Sequence, residues 1–235
     1  MTIAFILLLV SAYLVGSVPT AYIAGRWGQG IDIRHYGSGN VGASNLMRQS
    51  ARWLAIVVII VDIGKGILMI WAAQAAGLNT AQQVAIGLAA IIGHNWPVFL
   101  RFSGGRGVLT TLGVAFFLPL ANGPLVPWSL IIFLAIAGIF IFIVHNLPGG
   151  TATGIAAMPL VSWLAHEPLA LIWGFLAVFL VMVIRRLTAP KTSFTASVPT
   201  GELIINRLLF DRDIRDKEAW IYRKPAQPAE KPKKG

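Results

Sequence analysis

Apolar runs of spanning or near-spanning length follow one another along the chain from Ile3 to residue 186. A helix crossing the hydrocarbon layer needs roughly 20 predominantly apolar residues, fewer where it is buried among others. Such runs lie at 3–25, 53–76, 83–100, 108–122, 126–146, 152–165 and 169–186. The expected fold is therefore all-α, a polytopic transmembrane helix bundle of about seven spans. The fourth and sixth runs are short and set off by Gly123-Pro124 and Pro148-Gly149-Gly150. Five full spans plus two short helices are the alternative. Irregular backbone at membrane depth has to be shielded by protein, which favours seven.

Composition agrees with lipid as the main surroundings. Of the 235 residues, 56% are hydrophobic and only 12% charged, against roughly 25% charged in a soluble domain. The net charge of +10 would suit nucleic acid, but a water-borne nucleic-acid binder would not be so apolar. No nucleic-acid partner is expected; the lipid bilayer is. Cysteine is absent, which excludes disulfides and thiolate chemistry. The first run has no Lys or Arg before it and is longer than a signal-peptide core, so it reads as a retained helix.

The charges orient the bundle. With alternating spans, one side receives 26–52, 101–107, 146–151 and everything after Arg185, holding Arg26, Arg34, Arg48, Arg52, Arg101, Arg106 and the basic tail. The connections on the other side, 77–82, 122–126 and 166–168, hold no Lys or Arg. The positive-inside rule places the N-terminus outside and the C-terminus in the cytoplasm. Residues 1–190 form the transmembrane domain. Residues 191–235 form a cytoplasmic tail, first a segment able to make an amphipathic helix on the membrane surface, then a Pro- and Lys-rich end expected to be disordered.

Two glycine-rich loops lie on the basic side. The first reads HYGSGNVGASNLMR, residues 35–48. Gly37, Gly39 and Gly42 admit backbone that approaches a ligand closely, and successive N–H groups make a concave anion site. Ser38, Asn40, Ser44 and Asn45 add neutral donors, and Arg48 can grip phosphate with two parallel bonds. A tight solvent-exposed turn is the plainer alternative. The second loop contains FSGGRG, in which Gly104, Gly105 and Gly107 bracket Arg106 before a new helix begins at Val108. A helix N-terminus favours an anion. The Walker spacing is absent, so no nucleotide site follows; a phosphomonoester or acyl phosphate does.

Three further polar groups stand nearby. His94 either orients a substrate hydroxyl, acts as a base, or is a hydrogen-bonded interfacial residue. Asp62 and Lys65 share a face inside the second span and neutralise each other, with a direct substrate role for Lys65 as the alternative. His145, Asn146, Thr151 and Thr153 lie at the same level, where helix capping accounts for them. No metal-ligand pattern or Ser-elbow is present, and no metal or cofactor is expected.

In combination and order, the segments GSVPTAYIAGR (16–26), GSGNVGASNLMR (37–48), VDIGKG (61–66) and GH..P....FSGGRGV (93–108) resemble the bacterial acyl-phosphate-dependent glycerol-3-phosphate acyltransferases, the PlsY family. The resemblance runs over about residues 10–190. It implies acyl transfer from acyl phosphate to the 1-hydroxyl of glycerol 3-phosphate, giving lysophosphatidic acid and phosphate, at the cytoplasmic face of the bacterial inner membrane; a monomer is expected. It implies catalytic roles for Ser38, Arg48, His94 and Arg106. Substrate-binding roles are expected for Gly37, Gly39, Asn40, Asn45, Ser103, Gly104, Gly105 and Gly107, and, from their own charge and position, for Lys65 and Arg101. The chain departs from the family pattern FKGGKG at Ser103 and Arg106, and TGELIINRLL lacks the family's C-terminal His and Asn. Two other readings follow from those departures and from the cationic pocket: a divergent member with an altered acceptor or no catalysis, and a transporter of phosphorylated lipid.

Overall fold

The computed structural model describes residues 2–123, 126–190, 192 and 195–222. Pro124 and the Pro- and Lys-rich segment 224–235 fall outside them. Eleven α-helices are present among the described residues: α1 Thr2–Ser17, α2 Thr20–Gln29, α3 Ala43–Gln49, α4 Arg52–Ala75, α5 Thr80–Asn95, α6 Val108–Asn122, α7 Trp128–Phe142, α8 Leu147–Leu164, α9 Leu169–Leu187, α10 Thr200–Phe210 and α11 Lys217–Ile221. Each of the seven apolar runs is helical over most of its length. Four stretches are long and apolar enough to cross a membrane, Ile3–Gln29, Arg52–Ala75, Thr80–Leu100 and Leu169–Leu187, with α6 and α7 shorter. This is an all-helical, multi-pass membrane protein.

The helices pack α1 on α5, α4 on α6, α7 on α8, and α9 against α5 and α8. Without a hydrophobic driving force between spans, close backbone approach is what holds them. Glycines supply it in reciprocal pairs. A Cβ on Gly16 would lie 2.1 Å from the Ala90 carbonyl oxygen, and one on Gly93 would lie 2.2 Å from that of Tyr13. Gly66 and Gly113 join α4 to α6 in the same way, at 2.4 Å from Thr110 O and 2.1 Å from Ile63 O. A core of Ile70, Ile91, Val114, Phe133, Met158 and Phe175 ties the later helices together.

The first apolar run is two helices, not one. Pro19 lacks a donor and interrupts the ladder at Val18, and the chain resumes at Thr20. The Val18 carbonyl accepts from Thr20 N at 3.0 Å and from Lys65 Nζ at 2.6 Å, and Thr20 Oγ1 donates to Asp62 Oδ1 at 2.6 Å. Lys65 and Asp62 are themselves 2.7 Å apart and both buried. The charged pair inside α4 thus repairs a break in a neighbouring helix, as non-helical backbone at this depth requires.

The tail differs from a single surface helix. Its described part forms α10 and α11, and α10 packs on α8 and α9. Arg207 Nη1 donates to Leu187 O at 2.8 Å, and Arg186 donates to the carbonyls of Leu208 and of Pro148, the latter at 2.6 Å. Those long-range ties bury Asn206, Arg207, Asp213 and Trp220, while Ile204, Ile205 and Leu209 stay exposed.

Candidate active site

Asn45 organises the first loop from its centre. Its Nδ2 donates to the carbonyls of Ile33, Tyr36 and Asn40 at 3.3, 3.0 and 3.1 Å, and its Oδ1 accepts from Ser38 N at 3.3 Å. Gly37 and Gly39 take left-handed backbone, φ 55° and 71°, to bring those carbonyls to one side chain. Every polar atom of Asn45 is spent on the loop and the residue is fully buried, so it shapes the site rather than contacting a ligand. Ser38 and Asn40 are left at the surface of the loop, and Arg48 is exposed, its Nη1 donating to Ser44 O at 3.2 Å.

The second loop lies against the end of α5. A Cβ on Gly104 would be 2.3 Å from His94 O, and one on Gly105 would be 2.1 Å from His94 Nε2. Gly107 caps α6 in the left-handed region, φ 70°, beside Asn95 Oδ1. Gly105 N donates to His94 O at 3.1 Å. From the opposite side Arg185 donates to the Gly105 and Gly104 carbonyls at 2.8 and 2.7 Å. These glycines serve close packing of the loop as much as access to a ligand.

Two adjoining clefts open between the loops and the tail. The smaller, about 290 Å³, is lined by Arg34, His35, Ser38, Gly39, Asn40, Ser103, Gly104, Arg106, Arg185 and Trp220 among others. The larger, about 550 Å³, is lined by Ser38, Asn40, Ser44, Arg48, Arg106 and His145, by apolar Ile141, Val144, Leu147 and Phe210, and by Arg212 and Lys217 of the tail. Ser38, Asn40, Arg106 and Trp220 border both. Arg34 is paired with Asp32 through Nε and Nη2, at 3.0 and 2.7 Å. That side-chain hydrogen bond holds the Asp32 carboxyl below its ordinary range.

Ser38, Gly39, Asn40, Arg48, Ser103, Gly104 and Arg106 are thus brought together around the clefts. Four expected residues stand elsewhere. His94 is buried under Gly105, with Nδ1 3.8 Å from Asp62 Oδ1, and borders neither cleft. Lys65 serves the Pro19 break, and Asn45 the first loop. Arg101 is exposed in a left-handed turn, φ 50°, away from both clefts. Gly37, Gly105 and Gly107 act through backbone shape. Conversely, Arg34, His35, Arg185, Asp211, Arg212, Lys217 and Trp220 reach the clefts without having been singled out for them. For Arg185 the sequence held no signal, since an Arg in the last turn of a span commonly snorkels to the interface.

The family model described as Glycerol-3-phosphate acyltransferase matches residues 6–191. The chain belongs to the glycerol-3-phosphate acyltransferase family. Among relatives, glycerol-3-phosphate acyltransferase 5 of Dehalococcoides mccartyi is 45% identical over 239 residues, 99% of each chain. Glycerol-3-phosphate acyltransferase 4 of another strain of that species is 42% identical over 232 residues, 96% of this chain and 97% of that one. The crystal structure of PlsY, an integral membrane glycerol 3-phosphate acyltransferase, in its glycerol 3-phosphate form superposes with a TM-score of 0.68 at 28% identity, covering 91% of this chain and 96% of that one. Its lysophosphatidic acid form gives 0.66 at 26% identity, covering 92% and 97%. The family match ends at 191, so the tail residues that line both clefts lie beyond it.

Proposed function

We propose that the protein transfers a fatty acyl group from acyl phosphate to the 1-hydroxyl of glycerol 3-phosphate. The products are lysophosphatidic acid and phosphate, made at the cytoplasmic face of the bacterial cell membrane for phospholipid synthesis. The observation that carries this reading is the pair of basic clefts meeting at Ser38, Asn40 and Arg106 in a multi-pass member of the acyltransferase family. The larger cleft combines cations with Ile141, Val144 and Leu147 and suits a phosphate bearing an acyl chain. The smaller, lined by Arg34, Ser38, Asn40, Ser103, Arg106 and Arg185, suits the compact glycerol 3-phosphate.

Acyl phosphate is a mixed anhydride and arrives activated. The hydroxyl oxygen bonds to the carbonyl carbon, the carbonyl carbon–phosphate oxygen bond breaks, and the departing phosphate takes the hydroxyl proton. The protein's task is then alignment and charge stabilisation, which together account for most of the acceleration in such reactions. Arg106 at the junction, with Ser38 and Asn40, supplies donors where the carbonyl and both phosphates converge, and Arg48 adds charge to the acyl phosphate side. His94 supports the second loop and takes no proton. The basic connections, all on one side of the membrane, support a cytoplasmic site. Purified protein given radiolabelled glycerol 3-phosphate and acyl phosphate is expected to form labelled lysophosphatidic acid; acyl-CoA in place of acyl phosphate is expected to give none. Equal product from both donors would overturn the donor assignment.

A further inference from the structure

Asp211 closes the C-terminus of α10 in the left-handed region, φ 54°, its N–H donating to Arg207 O at 3.1 Å. The turn carries its carboxylate to Arg106, whose Nε lies 2.9 Å away. Both side chains are more than four-fifths buried, 16% and 18% exposed. Arg106 Nη1 also donates to Arg185 O at 3.3 Å. Nε and Nη1 are therefore each held by protein, while Nη2 has no protein acceptor among the described residues. The tail that presents Asp211 is itself anchored, since Arg207 bonds Asp213 Oδ1 and Leu187 O, both at 2.8 Å.

We propose that Asp211 is a positioning residue for the acyl transfer: it holds the Nε edge of Arg106 so that the remaining N–H groups stay at the junction of the two clefts. The proposal rests on the acyltransferase reading above. Only a guanidinium can do this, because its planar fork offers one edge to a protein carboxylate and another to a phosphate. An ammonium is a single point of charge. Asp211 also lowers the net charge of a cleft that otherwise gathers Arg48, Arg106, Arg212 and Lys217, so its contribution there is to geometry and not to raw attraction.

The test is a double-mutant cycle on the full chain: wild type, Asp211→Ala, Arg106→Lys and the double variant. Each is measured for phosphate release at saturating glycerol 3-phosphate and for glycerol 3-phosphate affinity by calorimetry. Positioning predicts that Asp211→Ala lowers kcat about tenfold and weakens affinity several-fold in the wild-type background, and changes each less than about twofold beside Arg106→Lys. Equal losses in both backgrounds would mean that Asp211 only docks the tail. Tighter binding or faster turnover on removal of Asp211 would make it a competitor of the substrate phosphate. Either result overturns the proposal. If wild type binds glycerol 3-phosphate but shows no turnover, the acyltransferase reading fails and the affinity cycle alone decides the Asp211–Arg106 relationship.

Discussion

Arg185 donates from Nε to the carbonyl of Gly105 at 2.8 Å and from Nη2 to that of Gly104 at 2.7 Å. Its guanidinium also lies 5.8 Å from the centroid of the Trp96 ring. With Gly105 N bonded to His94 O on the other side, the second glycine loop is gripped between the last turns of α5 and α9. A charged residue in the last turn of a span thus also sets the backbone that carries Arg106.

Arg185→Lys is expected to lose one of the two bonds and leave a buried carbonyl unpaired, at about 1.5–3 kcal/mol for a charge-assisted bond. A loop displaced by even an ångström can cost about 100-fold in rate, so turnover should fall by that order. Phosphate release and thermal unfolding of the detergent-solubilised variant check both effects.

Gly105→Ala has no room to succeed. The new Cβ would meet His94 Nε2 at 2.1 Å and Val41 O at 2.9 Å, and overpacking of this kind costs about 1–3 kcal/mol. Gly64→Ala, with nothing within 4 Å of its Cβ, removes a helix-weakening glycine from α4 and should leave stability equal or slightly higher. Melting temperatures of the two variants against wild type decide the comparison.

Arg106→Ala and Arg48→Ala remove cations from the clefts, and each should lower turnover by about 100-fold or more, the order seen when a preorganised donor is deleted at a site of developing charge. Arg101→Ala, exposed and outside both clefts, should stay within about threefold of wild type, as expected for loss of a well-screened surface charge. Steady-state rates of the three proteins test the division of roles.

The pH dependence of tail docking follows from Asp213. Burial pushes its carboxyl up, but hydrogen bonds from Arg207, Thr195 and Thr192 outweigh it and hold it below the ordinary 3.8. A depressed folded value stabilises above the unfolded one and is lost as pH falls through it. Docking should therefore be constant from neutral pH to about 4 and weaken below. Limited pepsin digestion from pH 5 downward should cut within 195–222 only below that point, whereas Asp213→Asn should be cut throughout.

The helical segments were legible because hydropathy reads burial in lipid directly, and each of the seven runs is helical over most of its length. The break at Pro19 was not, since Gly16 to Gly25 stays apolar or small on both sides of it. Asp62 and Lys65 could be paired from their i, i+3 spacing, but the Val18 carbonyl that Lys65 serves lies 47 residues away. Asn45 and His94 show the same limit. Sequence puts them beside the glycine loops, yet whether a side chain faces a ligand or its own loop depends on packing across helices. The tail's clamp through Arg186 and Arg207, which brings Asp211 to Arg106, was not readable, because it rests on contacts between α8, α9 and α10.

A phosphate-release assay on purified protein reads directly whether these clefts join an acyl phosphate to glycerol 3-phosphate. Acyl phosphate alone should release phosphate only at the background rate, and addition of glycerol 3-phosphate should start release in step with lysophosphatidic acid formation. No release from folded, glycerol 3-phosphate-binding protein, or release independent of glycerol 3-phosphate, would contradict it.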